Sequence, residues 1–345
     1  HMTRLDDYRC ALRVGNTGES GDELARTLET RGSDFSSFII DHGLGPLWHE
    51  RTERAEFRAS RLAAEALYGL QEHALAEIDM LLGEAGVDYV VLKGAANRLV
   101  LYENPALRAC HDIDLLVRAE DRVRAAGVLI KAGFEASPES PSISRELVLS
   151  RGGVTIDLHW GLLREGRLRR DPVPEMLERR RRVQGVWMLE NEDAVFTLLV
   201  HPAFAKHLAG WETGLHRILD IALWLRRQPF DWPAVRGRLR GQGVQGAAWA
   251  TLRWLSLLTA PESPGELNVM LADVRPGRLR RAWIDRWLKK DLSARTANAH
   301  WARLLGFSLF LHDRPGDVVR AFAGNRRAKR RQADDLAAFG ELLGQ

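Results

Sequence analysis

The sequence predicts an α+β protein. A small mixed-sheet core is assigned to residues 86–185, an N-terminal helical segment to 3–85 and a large C-terminal helical region to 186–345. Three observations carry that prediction. Leu62, Ala66, Leu70, Leu75, Ile78, Leu81 and Leu82 recur at spacings near three and four, the period of an amphipathic helix. After Gly83 and Gly86 the pattern changes to short apolar runs bounded by glycine, which read as strands. From residue 193 onward, strongly apolar stretches of helical period return and persist. A chain of 345 residues is about twice an ordinary domain, which favours two domains or one core with a large helical extension.

Taken in order, Leu24 and Leu28 open the helical segment, and 62–82 continues it. Residues 87–93 form a first strand closed by Gly94, with a helix expected over 95–102. Residues 112–117 form a second strand, and 121–132 a helix with Val123, Leu129 and Ile130 facing inward. Arg151-Gly152-Gly153 joins 145–150 to 154–160 as a hairpin. Helices follow over 193–208 and 214–227. Pro229 and Pro233 bracket a break, and 235–258 resumes the helical pattern.

Composition excludes several classes. With 45% hydrophobic and 28% charged residues, the chain carries enough apolar side chains for a sizeable core and is not largely disordered. No apolar run reaches the roughly 18 residues of a membrane span, so no membrane association is expected. His1-Met2 reads as the scar of a cleaved tag, and no signal-peptide pattern follows it. Two cysteines, Cys10 and Cys110, exclude a disulfide scaffold and a four-cysteine zinc site; the expected compartment is the cytoplasm. Net charge is +4, but it is segregated: 275–331 holds sixteen Arg/Lys against four Asp/Glu, leaving the rest net acidic.

The chemistry concentrates in the strands. Residues two apart on a strand share a face, so Asp112 and Asp114 project together while Ile113, Leu115 and Val117 bury the other side. Neighbouring carboxylates repel unless a cation neutralises them, and a hard ion such as Mg²⁺ takes carboxylates together with substrate phosphates. An exposed strand edge with two carboxylates is the plain alternative. Asp157 and His159 share a face of the hairpin's second strand. Should that strand pair beside Asp112–Asp114, three carboxylates meet, enough for a two-metal site.

Leu92-Lys93-Gly94, Arg108, Asp112-Ile113-Asp114-Leu115-Leu116-Val117 and Ile156-Asp157-Leu158-His159-Trp160 occur in that order, followed by His201, His207, Leu219-Asp220-Ile221-Ala222 and Asp231-Trp232. The order resembles the polymerase-β-type nucleotidyltransferase superfamily. More narrowly, it is similar to the group of uncharacterised nucleotidyltransferases, over residues 60 to about 240. The resemblance implies transfer of a nucleotidyl group from an NTP, ATP among them, to a hydroxyl or phosphate of a small-molecule or peptide acceptor, with Mg²⁺ (or Mn²⁺) and release of pyrophosphate. By the same resemblance Asp112 and Asp114 bind both metal ions. Asp157 completes the acceptor-side metal site and helps deprotonate the attacking hydroxyl. Gly94 lets a helix N-terminus approach the nucleotide phosphates. Where the superfamily has Gly-Ser or Gly-Gly, this chain has Gly94-Ala95-Ala96, so Lys93 or Arg108 must supply the terminal-phosphate contact.

Other residues carry two readings each. Arg108 either contacts phosphate or pairs with Asp112 or Asp114. Asp220, on an apolar helix, either pairs with Arg217 or His216 or reaches the nucleotide site. His159 is the candidate functional histidine; with Lys93, Gly94, Arg108 and Asp220 it is assigned to nucleotide binding. His201, His207 and His216 lack the i, i+4 pairing of a helical zinc site and read as core or capping residues. The Arg179–Arg182 run and the 326–331 cluster are solvated faces or a phosphate-backbone surface. In the C-terminal region the basic residues interleave with Trp283, Trp287, Leu304, Leu305, Phe307 and Leu309, so a nucleic-acid partner is not expected. Trp283, Trp287 and Trp301 read as core. Two competing functions remain: a non-catalytic nucleotide-binding module, suggested by Ala95-Ala96, and a nucleic-acid end-modifying enzyme.

Overall fold

The computed structural model describes residues 4–137, 144–205, 208, 214–259, 265–290 and 301–343. Helices α1 (Arg4–Leu12), α2 (Gly21–Arg31), α3 (Ser33–Asp41), α4 (Gly45–Thr52) and α5 (Arg58–Glu84) lead into β1 (Tyr89–Leu92) and α6 (Lys93–Leu101). There follow β2 (Asp112–Val117), α7 (Arg122–Lys131), β3 (Glu135–Ala136), β4 (Glu146–Arg151), β5 (Val154–His159), α8 (Val173–Glu178), β6 (Arg181–Val183) and β7 (Val186–Met188). The chain then stays helical: α9 (Asn191–Ala205), α10 (Leu215–Arg227), α11 (Trp232–Gln242), α12 (Gln245–Thr259), α13 (Gly265–Asp273), α14 (Arg278–Leu288), α15 (Trp301–Phe310) and α16 (Pro315–Leu343). The expected α+β architecture is what forms, with a mixed sheet ordered β3-β4-β5-β2-β1-β7-β6.

Strand alternation splits the interior in two. Tyr89, Val91, Ile113, Leu115, Val117, Ile156 and Leu158 face Ala74, Leu75, Ile78 and Leu82 of α5, with Ala125, Ala126 and Leu129 of α7 and Phe339 of α16. Val123 and Ile130, expected to face inward, pack against this core half-buried, at its margin rather than its centre. Val90, Leu92 and Leu116 face the opposite way, into a core containing Trp48, Trp224 and Trp254. That second core joins the N-terminal helices to α9–α14.

Three expectations are corrected or refined. The first strand stops at Leu92, and Lys93 begins α6 with φ +51°. The helical pattern over 235–258 is realised as two helices, because Gly243 takes a left-handed turn (φ +71°) where a Cβ would meet Asp317 and Arg169. The arginine run is a solvated face only in part, with Arg182 exposed and Arg179, Arg180 and Arg181 half-buried. It enters a hairpin, β6–β7, turned by Gln184 and Gly185, both at positive φ. Three of its four members pair with carboxylates: Arg179 with Asp193 at 2.9 Å, Arg180 with Asp88 at 2.6 Å and Arg182 with Asp79. Trp287 is buried and stacks on Phe307, whereas Trp283 is exposed against Phe310. His207 and the side chains of Trp301, Leu304 and Leu305 lie outside the described residues. Among the described residues, no helix is long and apolar enough to cross a membrane.

Candidate active site

Strand register assembles the site. Strands β2 and β5 run parallel with Asp114 opposite Asp157 and Leu116 opposite His159. Leu92 on β1 faces Asp114 across the antiparallel pair, so Lys93 leaves the strand directly beside that carboxylate. Lys93 Nζ donates to Asp114 Oδ1, and His159 Nε2 lies 2.8 Å from the same oxygen. His159 Nδ1 is 3.6 Å from Glu146 Oε2, on the next strand over. A left-handed backbone at a lysine is disfavoured, and such conformations gather at functional sites.

Asp114, Asp157 and His159 each present a ligand atom within 4.8 Å of the other two. Asp112 shares their face but stands outside that cluster, half-buried. Burial would raise the Asp114 carboxyl, but Lys93 and His159 outweigh it and hold the group well below the usual carboxylate range. Asp157 goes the other way: burial, then the charges of Asp114 and Asp112, push it up to about 6. An ionised carboxylate beside a second one strained by like charge is a donor set that a divalent cation relieves. The residues therefore fit a hard ion.

Two cavities meet at these carboxylates. The first, about 370 Å³, lies between α6, α9 and α10; Val91, Ala96, Leu198 and Trp224 give it apolar walls. The second, about 400 Å³, extends past Asp157 and His159 to Arg164, Arg167 and Phe204. Lys93, Asp112, Asp114, His201 and Arg217 line both, whereas Asp157 lines the second alone. A third cavity of about 410 Å³, around Arg9, Cys10 and Leu219, shares no residue with them.

Arg108 and Asp220 line the first cavity, but in partnership. Arg108 Nη2 donates to Asp220 Oδ2 at 2.7 Å and Nε to Oδ1 at 3.0 Å. Asn97 Nδ2 and the Tyr102 hydroxyl also donate to this carboxylate, at 3.0 and 2.8 Å. The partners expected from sequence, Asp112 or Asp114 for Arg108 and Arg217 or His216 for Asp220, are thus replaced by a pair 112 residues apart. Gly94 makes room for this network, since a Cβ there would lie 2.9 Å from Cys110 Sγ and 3.2 Å from Arg108 Nη1. His216 is structural, with Nδ1 2.9 Å from the His42 carbonyl oxygen.

Sequence reasoning missed four residues here. His201, read as a core histidine, stands at the junction, where burial and then Lys93 and Arg217 hold its imidazole neutral. Arg217 makes no hydrogen bond or ion pair through its side chain among the described residues. Arg164 and Arg167 come from the irregular segment after β5, which has no periodicity to reveal its direction. The place of His201 in the quoted motif order was the one available signal.

Acidic donors for a hard ion, beside cation-lined space for anionic groups, are what metal-assisted phosphoryl chemistry requires of a site. A family model narrows that class. Residues 40–260 match the family of uncharacterised nucleotidyltransferases, and the chain belongs to it. Membership supports a transferase acting on a nucleoside triphosphate. No curated protein matches the chain.

Proposed function

We propose that the protein is a divalent-metal-dependent nucleotidyltransferase that moves an NMP from an NTP to a hydroxyl or phosphate oxygen of a small-molecule or peptide acceptor. The observation that carries this reading is the position of Asp114 and Asp157, in register on parallel strands where two cavities meet. Asp112, Asp114 and Asp157, with His159 adjoining, would hold Mg²⁺ or Mn²⁺. Such an ion neutralises charge on the reacting phosphoryl group and on the leaving pyrophosphate.

The remaining roles belong to side chains. The apolar walls of the first cavity receive the base and sugar, with ATP the nucleotide to try first. Lys93 and Arg217, at the junction, orient the phosphates; no serine follows Gly94 to share that task. Arg108 and Asp220 shape the nucleotide cavity through each other and Asn97. The acceptor enters through the second cavity and presents its oxygen to Asp157. A base poised near the working pH transfers protons efficiently, and the raised Asp157 carboxyl approaches that condition. An acceptor hydroxyl gives its proton to Asp157 as the oxygen–Pα bond forms. The Pα–O bond to the β-phosphate breaks, and pyrophosphate leaves with that electron pair. The internal pairing of Arg179, Arg180 and Arg182 supports a small acceptor over a nucleic acid, and the two reduced cysteines support a cytoplasmic setting.

The test is to incubate purified protein with each NTP, Mg²⁺ and pooled candidate acceptors while following pyrophosphate. Release that depends on acceptor and is absent from Asp114→Asn is expected. Release that persists unchanged in that variant would refute the reading.

A further inference from the structure

The second cavity contains a charge that the reaction as written does not use. Arg167 reaches it from the segment after β5, and its guanidinium rests over the Phe204 ring, 5.6 Å from the centroid. Phe204 lies one turn of α9 beyond His201, so this cation is displaced along the cavity from the carboxylates. Among the described residues its side chain has no hydrogen bond and no carboxylate partner. Burial, and then the neighbouring Arg164, push it down to about 10.

Of the other charges nearby, Arg217 also lacks a side-chain partner among the described residues, but it stands at the junction of the two cavities, where the nucleotide phosphates are placed. Lys93 is on Asp114, and His159 bridges Asp114 and Glu146. Arg164 stands exposed at the rim, 3.3 Å from the Ser144 hydroxyl. A half-buried guanidinium with no counter-charge is costly, and its fork of donors matches a phosphate or carboxylate. Arg108 and Arg179 both hold aspartates, and the buried Arg98, without a carboxylate, donates to the Gln71 amide oxygen at 2.7 Å. Arg167 has neither kind of partner among the described residues, at the wall of a 400 Å³ cavity that opens onto Asp157.

We infer that the acceptor is itself an anion, whose phosphate or carboxylate group seats on Arg167, with Arg164 closing over it, while its nucleophilic oxygen faces Asp157. This rests on the nucleotidyl-transfer reading for the meaning of "acceptor", but the anion site stands or falls separately. Arg167 would be a binding and specificity residue. Neutral alcohols would be poor acceptors, and nucleotide affinity would not depend on it.

The experiment measures binding to the full chain by calorimetry, using glycerol 3-phosphate, glycerate and glycerol as probes. Affinity for a non-hydrolysable ATP analogue with Mg²⁺ is measured alongside. At least one of the two anionic probes is expected to bind about tenfold or more tightly than glycerol, the yield of one charge-assisted contact. Which of them does so separates a phosphate ligand from a carboxylate one. Arg167→Gln should lose that preference about tenfold and Arg167→Lys should retain part of it. The ATP analogue should bind both variants and wild type within about twofold. Circular dichroism confirms that each variant is folded, and should Arg167→Gln be unfolded, Arg167→Lys and competition decide. Anionic probe and ATP analogue should bind together. Mutual exclusion would assign the anion to the triphosphate and overturn the inference. Equal binding of glycerol and both anions, or an anion preference untouched in the Arg167 variants, would overturn it as well. Anion binding without any binding of the ATP analogue would instead refute the nucleotidyl-transfer reading and leave the anion site standing.

Discussion

Replacing Asp220 by Asn tests whether the Arg108–Asp220 pair is scaffold or nucleotide ligand. Arg108 is 4% exposed and Asp220 1%, so neither charge has water to fall back on. The carboxylate accepts from Arg108, Asn97 and Tyr102 together. An amide keeps the shape, but it brings donors to face donors and leaves the guanidinium without counter-charge. Removing one partner of such a buried pair costs about 3–5 kcal/mol, because the surviving charge is stranded. Set against a total folding stability of about 5–15 kcal/mol, that is a large fraction. Urea unfolding followed by tryptophan fluorescence reads it directly, as a lowered midpoint at unchanged slope. The double variant Arg108→Met/Asp220→Leu should recover much of the loss, since no charge is then orphaned. Asp220→Asn stability within about 1 kcal/mol of wild type, together with a large loss of ATP-analogue affinity, would refute the reasoning and make Asp220 a direct nucleotide contact.

Four further outcomes are expected. Asp112→Asn and Asp114→Asn should abolish pyrophosphate release while circular dichroism stays native. Asp157→Asn should cripple turnover but spare nucleotide affinity, and equal loss of affinity in all three would contradict the division between cavities. Because the folded Asp157 carboxyl is raised, ionising it opposes folding, so the metal-free protein should lose stability as pH rises from about 4 through 6. The loss is on the order of 2 kcal/mol after screening, absent from Asp157→Asn and reduced by Mg²⁺; denaturant midpoints that follow the same pH course in variant and wild type would exclude it. Replacing Arg326, Arg327, Arg330 and Arg331 with Glu should leave turnover with a small acceptor nearly unchanged. A fall in RNA or DNA affinity of about a thousandfold between about 50 and 200 mM salt, lost in that variant, would instead promote a nucleic-acid acceptor.

What the sequence determined by itself is local. Period two on a strand puts Asp112 with Asp114 and Asp157 with His159, whatever the rest of the chain does. The glycine-bounded apolar runs located β1, β2, β4 and β5, and the motif order identified the family. Strands β6 and β7 were invisible because the first lies in an arginine run without apolar alternation and the second, Val186–Met188, is three apolar residues, too short to show a period. Tertiary structure alone decided the rest. Asp114 and Asp157 meet only because β5 runs parallel beside β2, a pairing that strand pattern does not encode. Arg108 finds Asp220 across 112 residues because α10 packs on α6, and a charge separated that far from its partner leaves no spacing signal. His201, Arg217 and Arg167 likewise look like ordinary core or surface residues along the chain. Their chemistry arises from which cavity the packed helices leave open, and void space has no counterpart in a one-dimensional pattern.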